Sequence, residues 1–285
     1  MTAYSDESNV NSSLFRIATR LPRGEFLAGL FLLGCASGLA SRVIFSVKRL
    51  DWADAVFNTF EVSAVVWISC AVGVALVLRD RMTGVRALDI AMAVGFVFLV
   101  VLPVGPLSWL GIAALSLYVI LTTSIASSRR GATILLATTV PMLWSKLLFR
   151  LFANPILKID ASLVGWILGT HRTGDIVEFA DGSGVLVILP GCSSLANVSL
   201  ALLCWVTMSQ AVCHQKSAYD LLWCLMACIS VVAVNVTRIS LMGLSQRHYA
   251  ILHGPWGDLV CNTIILSLIV GVSVLGVRRE LFPRV

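Results

Sequence analysis

Over most of this chain, apolar residues alternate with polar ones at neither the helical nor the strand period. They run on in stretches of about 20 residues, broken by short polar joints. Wound as a helix, such a stretch crosses about 30 Å of hydrocarbon. Eight are legible, at 25–45, 58–78, 86–104, 106–126, 132–152, 193–213, 220–242 and 258–278. The pattern predicts an all-α polytopic membrane protein of about eight transmembrane helices. The third meets the fourth at Val104-Gly105-Pro106, so those two read as a tight hairpin.

Residues 153–192 break the pattern. They open with NPILKIDASLVGWILGT, too polar and too short to cross cleanly, which reads as an amphipathic helix at the outer surface. Asp-Gly-Ser-Gly at 181–184 then separates two β-rich stretches, IVEF and VLVIL, the signature of a small β-hairpin. Asp175, Glu178 and Asp181 against Arg172 place that hairpin on the extracytoplasmic side. No internal repeat, direct or inverted, is evident.

Composition agrees. The chain is 58% hydrophobic and 13% charged, where soluble domains carry about 25% charged residues. That excludes a soluble globular protein and a disordered one. A net charge of +6 would suggest nucleic-acid binding in a soluble protein. Here the basic residues fall mostly in short loops, so the expected partner is the lipid bilayer and not nucleic acid. With residues 1–23 as a cytoplasmic polar segment and 24–285 as one transmembrane domain, the cytoplasmic side gathers Arg16, Arg20, Arg23, Arg79, Arg81, Arg86, Arg129, Arg130, Lys216, Arg278, Arg279 and Arg284. Both termini are then cytoplasmic. The first apolar run reads as a retained helix and not as a removed signal peptide.

Seven of the eight cysteines lie in or at the ends of apolar runs, where cysteine behaves as a small hydrophobe. No Cys/His ligand spacing appears, so neither a metal nor a cofactor is expected. Cys192 differs. It sits in Pro190-Gly191-Cys192-Ser193-Ser194, directly before a helix start, where backbone N–H groups and the helix dipole favour thiolate. Two further polar groups fall at the same outer side. Arg238, in NVTRI, shares a helix face with Asn235 and needs a partner or a path to water. His253 lies in the loop before the last run, with His248 nearby as a competitor for its role. A thiol nucleophile, an imidazole that moves its proton and a guanidinium that binds an oxyanion are the equipment for acyl transfer through a thioester.

Other residues have plainer explanations. Ser193 and Ser194 need stronger base activation than a thiol and rank below Cys192 as nucleophiles. Lys146 and Arg150 read as snorkelling cations, Glu61 and Asp89 as interfacial, and Cys224 with Cys228 as small packing residues. His171 and Arg172 are weaker candidates, for the site entrance.

The ordered set GCSSL (191–195), NVTRI (235–239) and His253 with Gly257 four residues later resembles the exosortase/archaeosortase family over roughly residues 155–275. The family's EACSG context at the nucleophile is replaced here by Pro-Gly-Cys-Ser-Ser. The resemblance implies a polytopic membrane cysteine transpeptidase or protease of the bacterial inner membrane. Cys192 would be the nucleophile, Arg238 and His253 would complete the catalytic set, and Asn235, Ser193 and Gly257 would support it. It implies membrane protein substrates bearing a C-terminal motif, a transmembrane helix and a basic tail. The rivals are a transporter or assembly factor for exported polymer, and a family member that binds sorting signals without cleaving them.

Overall fold

The computed structural model describes residues 22–278 apart from Met82, Pro103, Gly191, Cys192 and Lys216. Among the described residues, six helices are long and apolar enough to cross a membrane: Arg23–Arg49, Gly105–Thr122, the run Ala126–Leu168, Ser194–Ala211, Tyr219–Met242 and Trp256–Gly276. Ala64–Leu78 and Ala87–Val101 are apolar but shorter. Many large apolar side chains face outward, Leu121 at 75% and Val101 at 72% exposure among them, while Arg23 and Asp89 are buried. That inside-out distribution suits a hydrocarbon solvent.

The helices group into two compact units, Met1–Thr139 and Val140–Val285. The first contains α1 (Arg23–Arg49), the short α2 (Trp52–Phe57), α3 (Ala64–Leu78), α4 (Ala87–Val101), α5 (Gly105–Thr122) and α6 (Ala126–Thr139). The second and third apolar runs yield 15-residue helices for local reasons. Thr59, Phe60 and Glu61 take left-handed backbone (φ 50°, 55° and 56°), which delays α3 until Ser63 caps it. Leu102 is extended (ψ 126°), as a residue before proline tends to be, and ends α4. The tight turn between the third and fourth runs is present, α5 beginning at Gly105.

Phe31, Ile112, Ile134 and Leu135 are fully buried in this unit. α3 and α6 touch backbone to backbone, since a Cβ on Gly131 would lie 2.5 Å from the Gly73 carbonyl oxygen. Asp89 is not interfacial. Its carboxylate accepts from Arg23 (2.8 Å), from the Tyr118 hydroxyl (2.7 Å) and from the Arg86 amide (2.8 Å). Arg23 also donates to Thr122 (2.9 Å), so one buried pair ties α1, α4 and α5. Glu61 instead pairs with the exposed Arg49.

The second unit opens with a π-helical turn, Val140–Trp144, and continues as α7 (Ser145–Leu168). Phe152 leaves helical geometry (φ −125°, ψ 28°) three residues before Pro155, whose ring removes a hydrogen bond and crowds the preceding turn. The separate surface helix expected after residue 152 is therefore corrected: it is the far side of a kink within α7.

Then come β1 (Arg172–Thr173), β2 (Ile176–Glu178) and β3 (Val185–Val187), antiparallel in the order β1-β2-β3. The expected hairpin is β2–β3, and β1 adds a strand through the tight turn at Gly174 (φ 67°). The Ser183 hydroxyl and amide donate to Asp181 in the β2–β3 turn and hold its carboxyl below the usual carboxylate range. Val177, Leu186 and Ile188 turn inward and form one core with Leu157, Ala161 and Val164 of α7. Helices α8 (Ser194–Ala211), α9 (Tyr219–Met242), α10 (Gln246–Leu252) and α11 (Pro255–Gly276) complete the unit. Val236, Ile239 and Met242 of α9 join the same core, so the sheet rests on two helices.

Removing one partner of the Arg23–Asp89 pair strands a buried charge. Asp89→Ala should therefore destabilise the protein by about 3–5 kcal/mol, read as a large drop in detergent-solubilised Tm. An unchanged Tm would show that the pair is not a structural tie.

Candidate functional site

Cys192 lies outside the described residues.

Ser193 is the N-cap of α8, its hydroxyl accepting from the Leu195 amide at 3.3 Å. Ser194, the first residue inside the helix, is held from two other helices. Its amide and hydroxyl donate to the two carboxylate oxygens of Asp160 in α7, at 3.2 and 3.0 Å. Its hydroxyl oxygen accepts from the Asn235 side-chain amide of α9 at 3.0 Å. All three side chains are buried. Asp160 thus satisfies an N–H that the first turn of any helix leaves open. Sequence reasoning missed Asp160 as a member of this constellation. The available signal was the single carboxylate of residues 145–168, which demands a partner when it faces an apolar interior.

Arg238 lies three residues beyond Asn235 on α9. Its Nη2 donates to the Leu252 carbonyl at 3.3 Å and is ion-paired with Asp258 in the first turn of α11. Its Nε is buried with no hydrogen-bond partner among the described residues. The need for a counter-charge was legible in the sequence, and Asp258 meets it while also suiting the positive end of α11.

His253 follows Leu252 directly and ends α10. Its ring is exposed and stacks on Tyr249, with centroids 5.0 Å apart and planes 13° from parallel. The Arg238 guanidinium therefore grips the peptide group that joins Leu252 to His253. Gly257 has a steric reason to be glycine: a Cβ there would lie 2.4 Å from the Leu252 carbonyl oxygen. The first turn of α11 thus packs directly on the end of α10. The competing His248 is engaged locally, its Nδ1 2.7 Å from the Ser245 hydroxyl that caps α10.

Asn235 and Arg238 share one face of α9, three residues apart. One holds Ser194, two residues after Cys192, and the other holds Leu252, one residue before His253. Four residues of one helix thus fasten both segments that carry the remaining candidates. Arg172 is engaged elsewhere, donating weakly to the Lys158 and Gly174 carbonyls (3.4 and 3.5 Å). His171 and Arg150 are exposed. Comparison with protein-family models, with curated proteins and with solved structures finds no match.

Gly257→Ala must push the α10–α11 joint apart, with the cost of about 1–3 kcal/mol typical of overpacking. A lowered Tm is expected. Ser194→Ala removes the hydroxyl that links Asp160 to Asn235 and should cost a similar amount. Wild-type unfolding curves for both variants would contradict the packing described.

Proposed function

We propose that this protein is a membrane-embedded cysteine transpeptidase or protease that cleaves the C-terminal sorting signal of exported proteins near the outer face of an inner membrane. Eight spans, with α3 and α4 as the short ones and both termini cytoplasmic, go with this proposal. The observation that carries it is the double tie made by Asn235 and Arg238, which links the start of α8 to the α10–α11 joint.

Cys192 thiolate attacks the scissile carbonyl carbon and forms a tetrahedral intermediate. Arg238, whose buried Nε has no partner among the described residues, stabilises the oxyanion. His253 gives a proton to the departing amine, leaving the acyl group on sulfur as a thioester. An acceptor amine or water then attacks the thioester and frees the thiolate. The substrate's own apolar helix enters laterally from the bilayer and packs on the bundle.

The ion pair to Asp258 favours a second reading, in which Arg238 is a structural tie and the protein binds sorting signals without cutting them. Arg238→Lys separates the two. It keeps the charge pair but loses the guanidinium's fork of donors.

In cells co-expressing a candidate substrate with a C-terminal motif, apolar helix and basic tail, Cys192→Ala should abolish C-terminal processing. Arg238→Lys and His253→Ala should slow it by about 100-fold or more at unchanged protein level. Normal processing by Cys192→Ala would rule out the thiol mechanism, and normal processing by Arg238→Lys would reduce Arg238 to a tie.

A further inference from the structure

β3 is an edge strand with one side open. In the antiparallel β2–β3 pair, the Ile188 amide donates to the Asp175 carbonyl and the Phe179 amide to the Gly184 carbonyl, each at 3.0 Å. With Val177 opposite Leu186, this fixes the alternation of bonded pairs. Residues 184, 186 and 188 point their backbone groups at β2. Val185 and Val187 point theirs away from the sheet, where none of the described residues hydrogen-bonds them. The opposite edge, at β1, offers the outward groups of Arg172 alone.

The β3 edge carries none of the usual protections. Between Gly184 and Pro190 there is no charge and no proline, the devices that normally blunt an exposed edge. The outer side chains are also apolar: Val185 is 56% exposed, Val187 44% and Leu189 53%. Yet Glu178, at the end of β2 opposite Val185, and Asp175 and Asp181 in the adjoining turns belong in water. An open edge cannot lie bare in hydrocarbon, and an apolar edge in water invites a strand. The chain continues from this edge through Leu189 and Pro190 to Cys192, five residues beyond Val187.

We propose that the outward edge of β3, Val185–Val187, is the docking strand for the extended segment of the substrate next to its scissile bond. This rests on the thiol mechanism proposed above and adds how the peptide is held. The substrate backbone pairs with the free amides and carbonyls of Val185 and Val187, and its alternate side chains lie beside these two valines on the outer face. Because an extended chain advances at most about 3.6 Å per residue, the paired segment lies within about five residues of the bond that Cys192 attacks. Recognition then rests on main-chain hydrogen bonds, with modest side-chain selectivity from the valine and leucine face.

The test uses the full-length protein in lipid vesicles and acetyl-oligoalanyl chloromethyl ketones. In these reagents the thiolate sulfur displaces chloride from the terminal CH2. Mass spectrometry reads alkylation at Cys192, with iodoacetamide as the reagent lacking a peptide backbone. A set of the same peptides, each N-methylated at one successive amide, probes the pairing. Strand pairing requires that methylation slow alkylation at least tenfold at every second amide and little at those between. In Val187→Pro, which removes one outward N–H and leaves the β2 pairing intact, methylated and plain peptides should react alike.

Equal rates for all methylated peptides in the wild-type protein would overturn the docking strand while leaving the thiol mechanism standing. If iodoacetamide fails to label Cys192 from the outer side, the thiol mechanism itself fails. A chain that forms dimers dissociated by Val187→Pro would assign the edge to a second copy, and would overturn the proposal as well.

Discussion

Asp160, Ser194 and Asn235 sit on three different apolar helices and are buried together. Each is a group that hydrocarbon would penalise by several kcal/mol if left alone. They resolve the problem as one directional chain, in which the Asn235 amide donates to Ser194 and Ser194 donates twice to Asp160. The consequence is positional. The first turn of α8 is held by two neighbouring helices at the point where the chain arrives from Cys192. Apolar packing alone is non-directional and would tolerate a slide of one helix along another. A satisfied polar chain would not.

The same logic extends one turn along α9. Arg238 is a charge in an apolar helix, and its Nη2 is engaged by the Leu252 carbonyl and Asp258 while its Nε stays open among the described residues. Gly257 lets the first turn of α11 come close enough for this to happen. For Arg238 the structural tie is what the geometry shows, and the catalytic role proposed above would be added to it. The ties that keep polar groups from being stranded also bring a guanidinium next to the residue that carries an imidazole. The first unit shows the structural half of this alone: Arg23, Asp89, Tyr118 and Thr122 form a buried network of comparable density, without a nucleophile or histidine in it.

Much of this was legible from sequence. Continuous apolar runs located the six long apolar helices and the two shorter ones among the described residues, and the Asp-Gly-Ser-Gly turn located the hairpin. The local details that shortened α3 and α4 were less visible. Left-handed backbone at Thr59–Glu61 follows no glycine signal, although Pro103 does mark the end of α4. The break at residue 152 was visible as a change of polarity, but its cause, a proline kink within a continuing helix, made it a bend and not a new element. At the site, Arg238, Asn235 and Gly257 stood out because each is odd for its setting. Asp160 carried the same kind of oddity, but its partner lies 34 residues away and no local pattern points to it. The free edge of β3 was equally hidden, since strand order is a tertiary fact.

In the proposed mechanism a substrate acyl group is carried on the sulfur of Cys192. Mass spectrometry of the intact protein, trapped during turnover of a co-expressed substrate, tests it directly. The expected result is an adduct of substrate mass on Cys192 that neutral hydroxylamine releases, as it does a thioester, and that is absent from Cys192→Ala. Substrate processing without such an adduct, or with the adduct on another residue, would contradict it.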